Sequence, residues 1–315
     1  MNTRTAARDR GVVIGWRVGW GAVRRLPERA AYRVFDTVAD AQVRRGGPGI
    51  ARLRANYAKV RPELDDAALD ALVRAGMRSY MRYFCEAFRL PDRTSAQLDQ
   101  AVRATGDGPI REHLAAGRSV VVFLGHLGNW DVAGAWSTTH LAPVTTIAER
   151  LKPEEVFREF LSFREGLGIT ILPLTGGPDP FTGLQAAVAR GDFIALLADR
   201  DLTRGGVEVD FCGHRARMAK GPAALAVRTD TPLYAAWIHY APAPPGRGLG
   251  GHETIVAFSD RIPEPPDGDL ASKVAAMTQA CASYLQEGVR RHTEDWHMLQ
   301  RVFVEDLDPA RTPAG

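Results

Sequence analysis

Two residues invite a chemical reading before any other. His126 stands just beyond an apolar run, Val120–Leu124, and Asp131 follows five positions later. An imidazole titrates near neutrality, and a carboxylate on its far ring nitrogen fixes the tautomer and stabilises the imidazolium. That pairing equips a general base. Within one helix a five-residue step turns a side chain about 140° away. The pair therefore meets only if His126 lies in a turn and Asp131 folds back from the first helical turn. Asn129 suits an N-cap there, and an acid in the first turn suits the helix dipole. No Ser or Cys adjoins the pair, which disfavours a covalent acyl-enzyme. A direct transfer is simpler: His126 takes a proton from a substrate hydroxyl, and that oxygen attacks an activated acyl group. A His that caps a helix, with an Asp that fills the cap, accounts for so short a motif equally well.

These groups need a scaffold. The apolar run between Gly117 and Gly125 reads as a central strand covered on both faces. From residue 102 strands and helices alternate. Strands are expected over 119–124, 143–148, 169–174 and 193–198, and helices over 109–116, 130–140, 153–167 and 184–190. A strand at 207–211, a helix at 222–228, strands at 233–240 and 253–258 and a helix at 269–291 complete the pattern. This rhythm predicts an α/β fold, with a largely parallel central sheet covered by helices. An amino-terminal helical section precedes it. Pro27 opens one helix that Gly46 and Gly47 close, a second covers 50–60, and Asp65 or Asp66 caps a third that runs to Arg89. The expected organisation is one domain over 1–315, with 1–90 as a helical, membrane-facing section and 102–300 as the α/β catalytic core.

Three predicted strand ends carry polar groups: His126 with Asp131, Glu149 with Arg150, and Asp199 with Arg200 and Asp201. In this topology such ends converge on one crevice. Arg164 and Arg204 add fixed positive charge suited to phosphates. Gly205 and Gly206 allow backbone N–H groups to approach an anion. A surface ion pair is the commoner fate of any single Arg.

Composition bounds the function classes. A hydrophobic content of 45% supports a sizeable core and argues against disorder. Three scattered cysteines, Cys85, Cys212 and Cys281, show no metal spacing and fit a reduced compartment. No run reaches the length of apolar sequence that a spanning helix needs. Charge is uneven: residues 1–61 carry 14 Lys/Arg against 4 Asp/Glu, a net of +10, whereas the whole chain is +3 and the remainder therefore −7. A basic leading section suits an anionic partner, either nucleic acid or a membrane. Trp16 and Trp20 share a helical face beside Arg17, Arg24 and Arg25, an interfacial pattern that favours the membrane. A core-packing helix with solvated Arg residues is the plainer alternative.

The stretch GHLGNWDVAG (residues 125–134) resembles the H-x4-D motif of bacterial lipid acyltransferases related to the lipid A late acyltransferases. TTIAERLKPE (145–154), ILPLTGG (171–177), ADRDLTRGGVEVDFCG (198–213), GPAALA (221–226) and DWHMLQ (295–300) narrow the resemblance. Together they are similar to the phosphatidylinositol mannoside acyltransferases of mycobacteria and related actinobacteria, over nearly the full chain. The resemblance implies a peripheral enzyme on the cytoplasmic face of the plasma membrane. It implies transfer of a fatty acyl chain, typically palmitoyl, from acyl-CoA to a mannose hydroxyl of a phosphatidylinositol mannoside. It implies His126 as base, Asp131 as the acid of the motif, Arg164 near the acyl-CoA and Glu149 in the pocket. Arg200, Arg204 and Gly205 join the expected substrate-binding set. Asp199 falls where the family is expected to have Glu, so the charge is kept on a side chain one methylene shorter. Acyl-CoA is a substrate here, and no cofactor, metal site or nucleic-acid partner is implied. Two rival readings stand beside this one: the same chemistry on another glycolipid or a lysophospholipid, and an anionic-membrane-binding protein without catalysis.

Overall fold

The structure is a computed structural model that describes residues 21, 23–149 and 154–307. Trp16, Trp20, Arg17 and Arg150, which figure in the sequence expectations, lie outside the described residues. Three helices lead: α1 (Glu28–Arg45), α2 (Pro48–Val60) and α3 (Asp66–Arg89). Asp65 is the cap of α3, accepting from the Ala68 amide at 2.8 Å. A short helix α4 (Ser95–Ala101) then feeds β1 (Val102–Thr105), and α5 (Gly108–Ala115) feeds β2 (Val120–Leu124). Next come α6 (Trp130–His140), β3 (Val144–Ala148), α7 (Glu154–Gly166), β4 (Ile169–Pro173), α8 (Pro180–Arg190) and β5 (Phe193–Leu197). A separate antiparallel hairpin, β6 (Val207–Phe211) with β7 (His214–Met218), precedes α9 (Gly221–Thr229). The chain closes with β8 (Leu233–Pro242), β9 (His252–Phe258) and α10 (Leu270–Arg291).

The main sheet has seven strands in the order β1-β9-β8-β2-β5-β3-β4. Strands β8, β2, β5, β3 and β4 run parallel, and β9 with β1 runs against them through the antiparallel β8–β9 pair. The expected largely parallel α/β sheet is thus the architecture found. Sequence reading missed β1, β7 and α4. β1 and α4 are short, and β7 (HRARM) carries Arg215 and Arg217 at alternate positions, which blunts an apolar signal.

Strand β2 is buried along its whole length because both of its faces are covered. Val121 and Phe123 point into one half of the core with α3, α9 and α10; Val120, Val122 and Leu124 point into the other with α4 to α7. Helix α3 serves both halves. Leu69, Val73 and Met77 pack in the first, and Ala87 and the following Leu90 in the second. Between them the helix passes the turn that follows β2. Among the described residues no helix is long and apolar enough to cross a membrane.

Candidate active site

Parallel register builds the centre of the site. β2 and β5 pair with Leu124 opposite Leu197, so the same stagger carries His126 level with Asp199 two residues further on. The Ala198 amide still donates to the Leu124 carbonyl at 2.8 Å. His126 Nδ1 then meets Asp199 Oδ1 at 2.5 Å, and the His126 amide donates to Oδ2 at 2.9 Å. The shorter side chain of Asp199 therefore reaches the imidazole. The indole Nε1 of Trp296 adds a third donor to Oδ2 at 3.0 Å. Asp199 is fully buried, which by itself would raise its pKa. The charge of His126 and these hydrogen bonds outweigh burial and hold the carboxyl below its usual range. With Nδ1 turned to a carboxylate, the proton sits there and Nε2 is the free basic atom. The imidazole keeps 20% side-chain exposure, enough for a substrate to reach it.

The turn that carries His126 is stapled on both sides. His297 donates its amide to the His126 carbonyl at 2.8 Å, and Gly128 donates to the Asp295 carbonyl at 2.9 Å. Gly128 sits at φ +57°, and a Cβ there would meet the Ile238 carbonyl oxygen at 2.7 Å. The segment around Trp296 is itself clamped by α2: Asn56 Nδ2 donates to the Met298 carbonyl and Tyr57 Oη to that of Trp296. Asn129 caps α6 as expected, accepting from the Val132 amide at 3.0 Å. Its Nδ2 donates to the buried Glu86 of α3 at 2.7 Å.

Asp131 does not fold back onto His126, and this corrects the expected pairing. Its Oδ2 accepts from Tyr83 Oη at 2.7 Å and from Arg164 at 3.2 Å, and Oδ1 accepts from Arg164 Nε at 2.7 Å. The five-residue step puts Asp131 in the first turn of α6, aimed at α7 and α3. Arg164 is its partner: the guanidinium closes an ion pair inside the protein. Burial works against that charge, but the attraction of Asp131 and Tyr83 prevails and raises its pKa further.

The three strand ends do converge, because β2, β5 and β3 are neighbours in the sheet. Arg200 approaches Glu149 at 3.4 Å; the Arg side chain is largely buried, while Glu149 is exposed. Arg200 Nη1 is buried with no hydrogen-bond partner among the described residues. The loop beyond closes on itself. Asp201 accepts from the Thr203 amide and hydroxyl, and the Gly205 amide donates to Thr203 Oγ1 at 3.0 Å, so that N–H is occupied. Arg204 is exposed on this loop. Gly206 is needed for packing: a Cβ there would meet the Met218 carbonyl oxygen at 2.7 Å.

Sequence reasoning missed Trp296, His297, Tyr83 and Glu86. Ser79, Tyr83 and Glu86 share one face of α3, and all three are buried. Polar residues at i, i+4 and i+7 on an otherwise apolar face are a readable signal. Among the described residues, His292, Glu294 and Asp295 bring potential metal ligands within 4.8 Å of one another. Both Asp295 oxygens already accept hydrogen bonds, from Ser79 Oγ and the Tyr240 amide.

A buried carboxylate fixing an imidazole at the end of a central parallel strand is an arrangement suited to proton transfer in an α/β crevice. Comparison with known proteins supplies the family. Residues 7–305 match the bacterial lipid A biosynthesis acyltransferase family, and the chain belongs to that family. A phosphatidylinositol mannoside acyltransferase of Mycolicibacterium smegmatis is 40% identical over 95% of this chain and 93% of its own length. A protein of the same name from Mycobacterium tuberculosis is 41% identical over 93% of this chain and 89% of its own.

Proposed function

We propose that this chain transfers a fatty acyl group, palmitoyl in length, from acyl-CoA to a mannose hydroxyl of a phosphatidylinositol mannoside. The observation that carries the reading is the His126–Asp199 contact at the end of β2, which leaves Nε2 as an oriented base. The names of the relatives supply the acceptor class. His126 Nε2 removes the hydroxyl proton as the oxygen attacks the thioester carbonyl carbon. The C–S bond breaks, and the imidazolium returns the proton to the leaving thiolate. Asp199 balances the imidazolium charge while it lasts. Arg200, with one nitrogen unpartnered among the described residues, offers an anion contact for a substrate phosphate beside this centre.

The same proposal places the protein at the cytoplasmic face of an anionic plasma membrane as a peripheral enzyme. The net charge of +10 over residues 1–61 supports this. So does α1, whose Val34 and Val38 are exposed on a helix that also shows Arg29, Arg33, Arg44 and Arg45 to solvent.

The test is to incubate purified protein with palmitoyl-CoA and a panel of mannosylated and unmannosylated lipids, and to identify products by mass spectrometry. Acylated mannolipid is expected, and His126→Ala should lower its rate roughly 100- to 10,000-fold with little change in melting temperature. Products on unmannosylated acceptors alone, or near-wild-type transfer by folded His126→Ala, would overturn the reading.

A further inference from the structure

Two buried polar atoms beside the base have no hydrogen-bond partner among the described residues: Trp130 Nε1 and His297 Nδ1. Their chemistry is opposite. An indole nitrogen can only donate. The role of His297 follows from its other nitrogen, which lies 3.0 Å from Ser79 Oγ. Ser79 has one proton and gives it to Asp295 Oδ1 at 2.5 Å, so its oxygen must accept from His297 Nε2–H. His297 is 94% buried, and burial, with the charges of His126 and Arg82, pushes its pKa down to about 3. The ring is therefore neutral, and Nδ1 carries a lone pair with nothing to accept.

The rings that carry the unmatched donor and the unmatched acceptor are neighbours. The Trp130 and His297 rings lie 6.0 Å apart between centroids, and Trp130 meets the His126 ring edge-on at 5.6 Å. One group satisfies both atoms at once: an oxygen that accepts one hydrogen bond and donates another. A hydroxyl does this. A thioester or a fully ionised phosphate, which only accepts, cannot.

We propose that Trp130 Nε1–H and His297 Nδ1 form a subsite for a second hydroxyl of the acceptor sugar, adjacent to the hydroxyl that His126 deprotonates. This deepens the functional reading above and rests on it. The subsite fixes which hydroxyl of a polyhydroxylated ring faces Nε2, because the ring must present two hydroxyls in a set relation. A site that hydrogen-bonds a substrate hydroxyl discriminates against an analogue lacking it, since its own polar atoms are then left unmatched. A resident water has the same donor and acceptor character, and the experiment separates the two sources.

The experiment measures kcat/KM with palmitoyl-CoA as donor and a mannosylated phosphatidylinositol or its monodeoxy-mannose analogues as acceptors. Wild type is compared with Trp130→Phe, which keeps an aromatic ring and removes the N–H. It is also compared with His297→Gln, whose amide stands near the Nε2 position and offers nothing at Nδ1. One analogue, other than that lacking the acylated hydroxyl, should lose about tenfold with wild type. Each variant should lose about tenfold on the parent acceptor and nothing further on that analogue. If a variant does not fold, the other carries the test. Equal loss on every acceptor would assign the two atoms to a resident water and overturn the subsite, as would no loss at all. Failure of the wild type to acylate any mannolipid would instead overturn the functional reading, and the subsite with it.

Discussion

Asp199 and Asp131 are both buried, both sit within a few residues of a strand end or helix start, and each receives hydrogen bonds from more than one donor. They differ in what they hold. Asp199 holds a partly exposed imidazole by one nitrogen, with Trp296 and a backbone amide also bonded to the carboxylate. Asp131 holds the guanidinium of Arg164 and the phenol of Tyr83. A carboxylate on a histidine can balance a charge that comes and goes during a reaction. A carboxylate on an arginine balances one that never leaves. The same residue type, at two positions 68 residues apart in sequence (199 − 131), thus orients an imidazole in one cluster and forms a joint between α3, α6 and α7 in the other.

The largest expected effect separates the two by rate. Asp199→Asn removes the charge that stabilises the imidazolium and permits the wrong tautomer, so turnover should fall roughly 100- to 10,000-fold. The loss belongs in kcat more than in the KM for acyl-CoA, because the interaction matters most in the transition state. Steady-state kinetics on the purified variant reads the split. A fully active Asp199→Asn protein would reduce Asp199 to a buried anchor like Asp131 and collapse the comparison.

The next effect separates them by stability. Asp131→Asn leaves the Arg164 charge buried without its partner, a change worth about 3–5 kcal/mol when a buried pair is broken. Denaturant unfolding should show the midpoint falling with the m-value unchanged. The double variant Asp131→Asn with Arg164→Met should recover part of that loss, since no unpaired charge remains. Equal unfolding midpoints for the single and double variants would mean that Asp131 acts through something other than Arg164.

The two clusters were unequally legible in the sequence. His126, Asp199 and their strands could be read because a buried parallel strand is a continuous apolar run, and its end is where polarity resumes. The convergence of Glu149 with Arg200 followed from the same logic. The partner of Asp131 could not be read, because a five-residue spacing admits several directions and only the packing of α6 on α7 selects one. Trp296 and His297 come from the far end of the chain, more than 160 residues from His126. Nothing local announces that DWHM will pair with the turn after β2. Tyr83 and Glu86 carried a signal in their spacing along α3, but a heptad face read for its apolar residues passes over polar ones.

A third buried carboxylate sharpens the comparison, and its effect is the smallest. Among the described residues, Glu86 has no cation hydrogen-bonded to it. It accepts from Asn129 Nδ2, Tyr240 Oη and Tyr32 Oη, at 2.7, 2.8 and 3.1 Å. Burial pushes its pKa up to about 7 from an ordinary 4.5, against the pull of those hydrogen bonds and of Arg82. Folded Glu86 thus holds its proton more tightly than the unfolded chain does. Its contribution to stability is complete below about pH 4.5 and is lost as pH rises through about 7. The full swing is on the order of 3 kcal/mol. Asp199 has the opposite sign, because its folded pKa is depressed: its contribution is present above the unfolded value and is lost as pH falls through the folded one. Asp295, raised by burial to about 6, adds to the slope of Glu86. Glu86→Gln keeps the size of the side chain and cannot ionise. Melting temperature measured from pH 4.5 to pH 7 should therefore decline less steeply in the variant than in wild type, leaving the part due to Asp295. Asn129 loses only the charged form of its partner, so the cap on α6 should hold and transfer at pH 6 should change by less than about tenfold. An unchanged slope would mean that Glu86 is ionised throughout, with Arg82 close enough to serve it as Arg164 serves Asp131.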